Sequence, residues 1–299
     1  MMRRYAFTML ELVFVIVIMG IIGKFGVEFL AQAYKGFIFS NVNHTLQSNS
    51  EMAVESIAAK LQFRIKDSII ARKTGTDFKA LSSSNDDDAR ILEWVGADID
   101  GFRGTSAPLW SGIIDIDASV GTAGSSTLVS LGTDTAALDT QIGILAHGSG
   151  TGIDNAAIYF VGSDSDINTY GWNNGDVVFT TQANVMHPIK KDGTTANLLL
   201  SDAGTFSGVD IFEYYQLAWT AYAVVHSANG DLRLHYDYQP WEGDDYLLLK
   251  DGSTTKNALI MQNVDTFRFK AVGSVVKIQV CVNSDLVEDY SLCKEKTIF

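Results

Sequence analysis

The segment RRYAFTMLEL, residues 3–12, leads directly into the apolar stretch VFVIVIMGII, residues 13–22. Glu11 is the single carboxylate here, and it lies one helical turn inside a segment that favours lipid. An ionised side chain at that depth costs a few kcal/mol or more, so Glu11 needs a partner. Cleavage between Ala6 and Phe7 would create a positively charged amine near the edge of the bilayer. That amine can meet Glu11 of a neighbouring copy of the chain.

These residues resemble the amino termini of type IV prepilins and type II secretion pseudopilins. The family pattern is a short basic leader, a small residue that is usually Gly, the segment Phe-Thr-Leu-Ile-Glu-Leu and an apolar helix. Here Ala6 replaces the Gly, Met9-Leu10 replaces Leu-Ile, and Glu11 stands at the fifth position of the mature chain. The resemblance implies that a prepilin peptidase cuts after Ala6 and methylates the amine of Phe7. It also implies other pilin or pseudopilin subunits and an inner-membrane assembly platform as partners.

A secretory signal peptide is one alternative, because AQA at residues 31–33 is a small-x-small cleavage site. Lys24 and Glu28 interrupt the apolar run before that site, and the run itself contains a carboxylate, which argues against this interpretation. A soluble core helix is a second alternative. The basic residues Arg3 and Arg4 in front of the run argue against it.

A plain single-span anchor is a third interpretation, since residues 7–23 nearly reach the length that a tilted helix needs to cross a bilayer. It agrees with the pilin interpretation, because unassembled pilins are such anchors, but it leaves Glu11 unexplained. The basic leader predicts a cytoplasmic amino terminus. We therefore expect a single-pass protein of the bacterial inner membrane with a periplasmic or extracellular head.

The composition is that of an acidic protein with enough apolar material for a sizeable core. The chain has 35 acidic and 22 basic residues, a net charge of −13, and 46% hydrophobic residues over 299 positions. Such a surface repels nucleic acid, so DNA binding by the head as a whole is disfavoured. The 26 glycines and 3 prolines suit strands joined by turns.

Helical spacing of apolar residues continues beyond the membrane segment. The positions concerned are Val42, Leu46, Ala53, Ile57, Leu61, Ile65 and Ile69. This pattern predicts one helix over residues 7–72, with 7–30 as its transmembrane and filament-packing part. We expect residues 1–6 to be the leader peptide and 73–299 to be the extracytoplasmic head.

Short apolar runs separated by turn residues predict strands in the head. They lie at 91–95, 127–131, 157–161 and 177–181, and residues 98–208 have the character of an elaborated insert. Apolar and polar residues alternate at 232–238, 266–271 and 276–282, which is typical of half-buried strands. With the run at 212–226 these predict one antiparallel sheet covered by the long helix. The expected fold class is α+β and pilin-like, a long helix packed on a mainly antiparallel, β-rich head.

The order of the later strand patterns resembles the J-type minor pseudopilins and the W-type minor pilins. It consists of YYQLAWTAYA at 214–223, GDLRL at 230–234 and NVDTFRF at 263–269. Those proteins share a long helix followed by a β-rich head. The resemblance favours a minor, tip-located subunit over an abundant structural one.

Cys281 and Cys293 are the only cysteines. A pair of cysteines in an extracytoplasmic domain favours a disulfide. Closing such a short loop would stabilise the fold by about 3 kcal/mol. Two free buried thiols are the alternative. The pair is similar to a short version of the carboxy-terminal disulfide loop of major pilins.

Catalytic and metal-binding patterns are weak. The five histidines show no ligand spacing, and no Gly-x-Ser-x-Gly nucleophile turn occurs. Asp164, Asp166 and Asn168 are spaced like the start of a calcium loop, but Thr169 stands where the EF-hand needs Gly. We therefore expect no enzyme and no cofactor, and these three residues are the calcium candidates.

The sequence thus favours a minor pilin or pseudopilin, a structural subunit of a type IV pilus or type II secretion pseudopilus at the tip or in assembly initiation. The alternative is a membrane-anchored exported adhesin or cargo-binding module. Secretion, twitching, adhesion and DNA uptake all use the same amino-terminal motif.

The processed amino terminus distinguishes these interpretations. Mass spectrometry of protein isolated from cells that contain the peptidase is expected to find a chain beginning with N-methyl-Phe7. A chain that begins after Ala33 would indicate ordinary secretion, and retention of residues 1–6 would remove the basis of the assembly interpretation.

Overall fold

A computed structural model describes residues 8–85, 88–120, 127–146, 152–163, 166–173, 185–191, 198–201, 205–206, 209–284, 286–287 and 290–299. It begins with a long helix, α1, over Met9–Leu61. The remainder is a mainly antiparallel β domain with short helices. This arrangement confirms the predicted α+β class.

The helices and strands of the β domain follow in chain order. The helices are α2 Ile99–Arg103, α3 Ile116–Val120 and α4 Thr135–Ala146. The strands are β1 Ile70–Thr74, β2 Asp77–Ala80, β3 Ile91–Gly96, β4 Thr127–Val129, β5 Ala157–Phe160, β6 Met186–Lys190, β7 Leu198–Ser201, β8 Tyr215–Ala218, β9 Thr220–His226, β10 Leu232–Tyr238, β11 Lys256–Met261, β12 Val264–Val272, β13 Val275–Asn283 and β14 Ser291–Ile298.

Helix α1 ends at Leu61, so the predicted end at residue 72 is wrong. After Leu61 the chain forms hydrogen bonds with β3 instead. The Ile65 amide donates to the Val95 carbonyl at 2.9 Å, and the Val95 amide donates to Ser68 Oγ at 2.9 Å. Ile65 and Ile69 are buried, as their helical spacing indicated, but they are extended residues on either side of a short 3-10 helix at Lys66–Ser68. Burial at helical spacing therefore continues for two turns after the helix has stopped.

The strands form three antiparallel sheets. A six-stranded sheet has the order β11-β10-β9-β3-β1-β2, a three-stranded sheet the order β12-β13-β14, and a five-stranded sheet the order β4-β7-β6-β5-β8. Helix α1 packs in one core with a face of the six-stranded sheet and with the three-stranded sheet. The other face of the six-stranded sheet forms a second core, and the five-stranded sheet with α4 forms a third.

The single carboxy-terminal sheet predicted from the alternating patterns is therefore wrong. Residues 212–226 divide at Trp219, so β8 joins the five-stranded sheet and β9 the six-stranded one. After β11 the chain turns through Asn263, which has a φ of 58°, into the separate three-stranded sheet. Asn adopts this left-handed conformation more readily than most residues, which allows the abrupt change of direction.

In strand β10 the alternation of apolar and polar residues does not match the buried and exposed positions. Its buried residues are Leu232, His235 and Tyr238, whereas Leu234 and Tyr236 are only partly buried. A bulge at Asp237, with a φ of 63°, shifts the register against β9. Because both faces of this sheet are covered, apolar and polar residues no longer mark inside and outside.

The predicted insert, residues 98–208, supplies α2 to α4 and β4 to β7. It completes the five-stranded sheet only by taking β8 from the following segment. The strands predicted at 91–95, 127–131 and 157–161 are confirmed as β3, β4 and β5. The strand predicted at 177–181 lies outside the described residues.

Side chains of strand β14 form ion pairs with α1. The ammonium groups of Lys294 and Lys296 pair with Glu51 and Glu55 of the helix, the first at 3.3 Å. Nearby, the Tyr290 hydroxyl donates to Asn43 Oδ1 at 2.9 Å. β14 is joined to β13 by the Cys281–Cys293 disulfide, which confirms that prediction.

Replacing both cysteines in the variant Cys281→Ser/Cys293→Ser is expected to lower the free energy of unfolding by about 3 kcal/mol, because the open loop gives the unfolded chain more entropy. Urea unfolding followed by tryptophan fluorescence measures this. The control is Lys277→Ala/Glu295→Ala, an exposed ion pair across the same two strands. Its loss should cost less than about 1 kcal/mol. Two free thiols in the unreduced protein would contradict the disulfide.

Candidate functional site

The first part of α1 makes no buried contact with the head. Residues 8–37 are all exposed, and Val42 is the first buried residue of the described chain. At 1.5 Å per residue, the helix from Met9 to Phe39 is about 45 Å long. Its exposed apolar side chains include Phe14, Ile16 and Phe29. This part of the helix therefore needs a surrounding other than water or its own head.

The exposed segment has two parts of different character. From Met9 to Gly23 it carries apolar side chains on all faces, with Glu11 as the one charge. Helix α1 as a whole is long and apolar enough to cross a membrane. From Lys24 onward it is amphipathic. Lys24 and Glu28 form an ion pair at 3.8 Å, while aromatic residues such as Phe25 and Phe37 stay exposed.

Four glycines in this segment are not required by the chain's own packing. A Cβ atom added to Gly20, Gly23, Gly26 or Gly36 would meet no atom within 4 Å. Small residues on a membrane helix allow another helix to approach its backbone closely. These positions are open for such an approach.

Glu11 forms a capping box with Thr8 at the start of α1. Its Oε2 accepts hydrogen bonds from the Thr8 amide at 3.0 Å and the Thr8 hydroxyl at 2.9 Å, and its own amide donates to Thr8 Oγ1 at 3.4 Å. Within the described chain its Oε1 accepts no hydrogen bond, so it can take a further donor. Ala6 and Phe7, the predicted cleavage and methylation sites, lie outside the described residues.

A groove of about 750 Å³ lies at the opposite end of α1. Residues 62–64, 66 and 67, which follow the helix, form one wall, and residues 97–99, 102 and 110–113 form another. The third wall contains Tyr159, Val161 and residues 214–216. The groove thus lies where α1, the six-stranded sheet and the five-stranded sheet meet.

Aromatic rings line much of this groove. Phe102 packs on Trp110 with ring centroids 4.9 Å apart, and Trp110 packs on Tyr215 at 5.6 Å. Trp110 and Tyr215 are buried in the floor, whereas Phe102 is 42% exposed and Tyr214 is 55% exposed. A mouth of exposed aromatic and aliphatic side chains therefore surrounds a rigid aromatic floor.

Asp98 is a buried carboxyl group in the wall of the groove. Its Oδ1 accepts from the Gly101 amide at 3.1 Å, where it caps α2, and its Oδ2 accepts from Trp110 Nε1 at 3.2 Å. Burial raises the pKa of Asp98 to about 6, although these donors and the Trp219 side chain oppose the rise. A buried carboxyl with a raised pKa in a cleft is a feature of functional sites as well as of structural networks.

Sequence reasoning missed this groove. Asp98 and Trp110 belong to no motif, and Tyr214 is noted only as the start of the strand pattern at 214–223, so the tertiary fold alone brings the three together. The one available signal was the density of aromatic residues in the segment 212–222. An aromatic run of that kind is equally typical of a core strand.

The calcium candidates are only partly described. Asp164 lies outside the described residues, and Asp166 Oδ1 accepts from the amide and the side chain of Asn168 at 3.0 and 2.9 Å. Among the residues that the structure describes, no group of three or more His, Cys, Asp or Glu side chains could hold a metal ion. The calcium site stays a prediction.

Asp98 should make stability depend on pH. Its pKa in the folded chain, about 6, lies above the ordinary value of 3.8, so its contribution is fully present below about pH 4 and is lost as the pH rises through 6. The full contribution is about 3 kcal/mol. His187, whose pKa burial lowers to about 4, acts in the opposite direction and partly masks the effect.

The variant Asp98→Asn isolates the contribution of Asp98 to the pH dependence, because His187 is unchanged in it. Between pH 4 and 6.5 the unfolding free energy of the variant should rise with pH more steeply than that of the wild type, as measured by urea unfolding across that range. Parallel curves for the two proteins would show that folding does not raise the pKa of Asp98.

Comparison of the chain with protein-family models, with curated proteins and with solved structures finds no match. The resemblance to prepilins thus depends on the amino-terminal segment and on the order of the later strand patterns. The function has to be argued from the exposed helix and the groove themselves.

Proposed function

We propose that this protein is a minor pilin or pseudopilin, a structural subunit that waits in the inner membrane and then joins the tip or the initiating complex of a type IV pilus or type II secretion pseudopilus. Its partners are other pilin-like subunits, which it meets through α1. The prepilin peptidase, which removes the leader, acts on the same segment. The assembly platform in the membrane acts on it as well. The head lies outside the cytoplasm.

The length of the exposed apolar helix carries this proposal. The hydrocarbon core of a bilayer is about 30 Å thick, whereas the exposed part of α1 is about 45 Å long. Exposed aromatic residues continue to Phe37, well past the stretch that the lipid would cover. An anchor alone needs no apolar surface beyond the bilayer. Neighbouring helices in a filament would cover the membrane-spanning part of α1 and also the exposed part beyond it.

Glu11 supports the same proposal. The capping box occupies one carboxylate oxygen and leaves Oε1 for a donor from outside the described chain. A methylated amine at Phe7 of an adjacent subunit would supply that donor together with a compensating positive charge. Pairing at this depth would set the axial position of one subunit against the next.

The variant Glu11→Gln separates this pairing from helix capping, because Gln can also accept the Thr8 hydrogen bonds in a capping box. The variant is expected to insert and to be processed normally but to fail to join neighbouring subunits. A photo-crosslinking residue in place of Phe29, which is 71% exposed, reports assembly in cells. Wild-type protein should give crosslinked oligomers, and the variant should give few.

Glu28→Gln is the matched control, since it removes a carboxylate from the same exposed helix without touching the capping box. It should crosslink like the wild type. If Glu11→Gln crosslinks equally well, the pairing is wrong. If the wild type gives no oligomers at all, α1 is only an anchor.

The groove favours a second candidate function, a membrane-anchored exported adhesin or cargo-binding module. Its mouth exposes the aromatic side chains of Phe102 and Tyr214, which the head itself does not bury. The two functions are compatible, because a tip subunit presents its head to whatever lies outside the cell.

A further inference from the structure

We propose that the groove at the end of α1 is a binding site for a neutral oligosaccharide. The proposal depends on the proposed function only in placing the head outside the cytoplasm, where glycans are found. It is otherwise independent of filament assembly, because the groove belongs wholly to the head. A large pocket with aromatic walls, a few convergent polar groups and a carboxyl of raised pKa is the default ligand site of a fold.

The aromatic side chains supply the first requirement of a sugar site, which is flat apolar surface. Tyr214 is 55% exposed and Phe102 is 42% exposed, on opposite walls of the groove. Both are held in place: the segment of Tyr214 is bonded to Val161 and Ile113, and Phe102 packs on Trp110. The C–H face of a pyranose ring is apolar and can stack on such rings.

Polar side chains with no partner in the described part of the chain supply the second requirement. The Gln216 amide, the Tyr214 hydroxyl and the Lys66 ammonium line the groove and make no hydrogen bond to described residues. Between them they offer donors and acceptors to hydroxyl groups. A purely apolar ligand such as an acyl chain would strip water from these groups without replacing it, which is costly.

The charges of the lining disfavour ionic ligands. Two basic residues, Arg64 and Lys66, and two acidic residues, Asp67 and Asp98, give no net charge in a chain whose total is −13. Arg64 is buried and already donates to the carbonyls of Leu61, Ser274 and Phe299. The lining therefore has neither the basic cluster of a phosphate site nor the acidic cluster of a cation site.

The backbone around the groove disfavours a peptide added as a further strand. The Asp98 amide donates to the Leu217 carbonyl at 2.7 Å, and the Val161 amide donates to Tyr214 at 2.8 Å. The Tyr215 amide donates to Gly112 at 3.0 Å. Strand addition needs free main-chain groups at an edge, and these are already paired.

The groove also lies far from the membrane end of the chain. Its first wall begins directly after Leu61, and the 53 residues of α1 place that point about 80 Å along the helix from Met9. A ligand on a surface or on another cell could reach this end of the head without approaching the membrane.

The test uses the full chain in a detergent without a sugar head group, titrated calorimetrically with hexasaccharides of glucose, mannose and N-acetylglucosamine. At least one is expected to bind. Tyr214→Ala and Gln216→Ala should each weaken binding at least tenfold, and both positions are on the surface or partly exposed, so the fold should survive. Leu286→Ala removes a side chain that is 76% exposed and away from the groove, and it should bind like the wild type.

Binding of none of the hexasaccharides would overturn the proposal, as would binding that Tyr214→Ala and Gln216→Ala leave unchanged. A decaproline peptide is titrated in parallel. If it binds in a Tyr214-dependent way while the sugars do not, the site recognises an extended peptide and the assignment to a glycan is wrong. These outcomes are independent of the Phe29 crosslinking, so failure of one proposal does not imply failure of the other.

Discussion

The burial of the last third of α1 between two sheets is the contact on which the rest of the structure depends. Ile57 and Leu61 are fully buried against the six-stranded sheet on one side and the three-stranded sheet on the other. Neither sheet could keep its apolar face from water without the helix. The Lys294 and Lys296 ion pairs and the disulfide behind β14 hold this packing in register.

This contact divides one continuous helix into an exposed first part and a last third that packs on the head. From Val42 onward one face of the helix is buried in protein, whereas before Val42 the helix is exposed on all faces over about 45 Å. The backbone is regular across the boundary, so the change lies entirely in what surrounds it. The exposed part of α1 is therefore a regular helix that the head leaves uncovered.

The groove at the carboxyl end of α1 is a consequence of the same packing. Because α1 stops at Leu61 and β3 captures the chain, residues 62–67 come to lie beside Asp98 and Trp110. The large central segment then closes a groove against β8. The exposed part of α1 at one end and the aromatic groove at the other are thereby separated by the buried last third of the helix.

Much of this could be predicted from local patterns. The apolar run, Glu11 near its start and the helical spacing from Val42 to Leu61 predict the helix and the surface that it buries. Period-two alternation correctly predicts strands such as β12 and β13. It fails on the faces of β10, where a bulge at Asp237 and cover on both sides cancel the contrast between apolar and polar positions.

The sequence by itself determined which segments avoid water, where a charge lies in an apolar helix and which two cysteines are available for a disulfide. Only the tertiary structure decided that α1 ends at Leu61, that the strands divide into three sheets and that Asp98, Trp110 and Tyr214 share a groove. The physical reason is that burial leaves a periodic signal along the chain, whereas pairing between strands and the meeting of distant side chains depend on which surfaces come together in space.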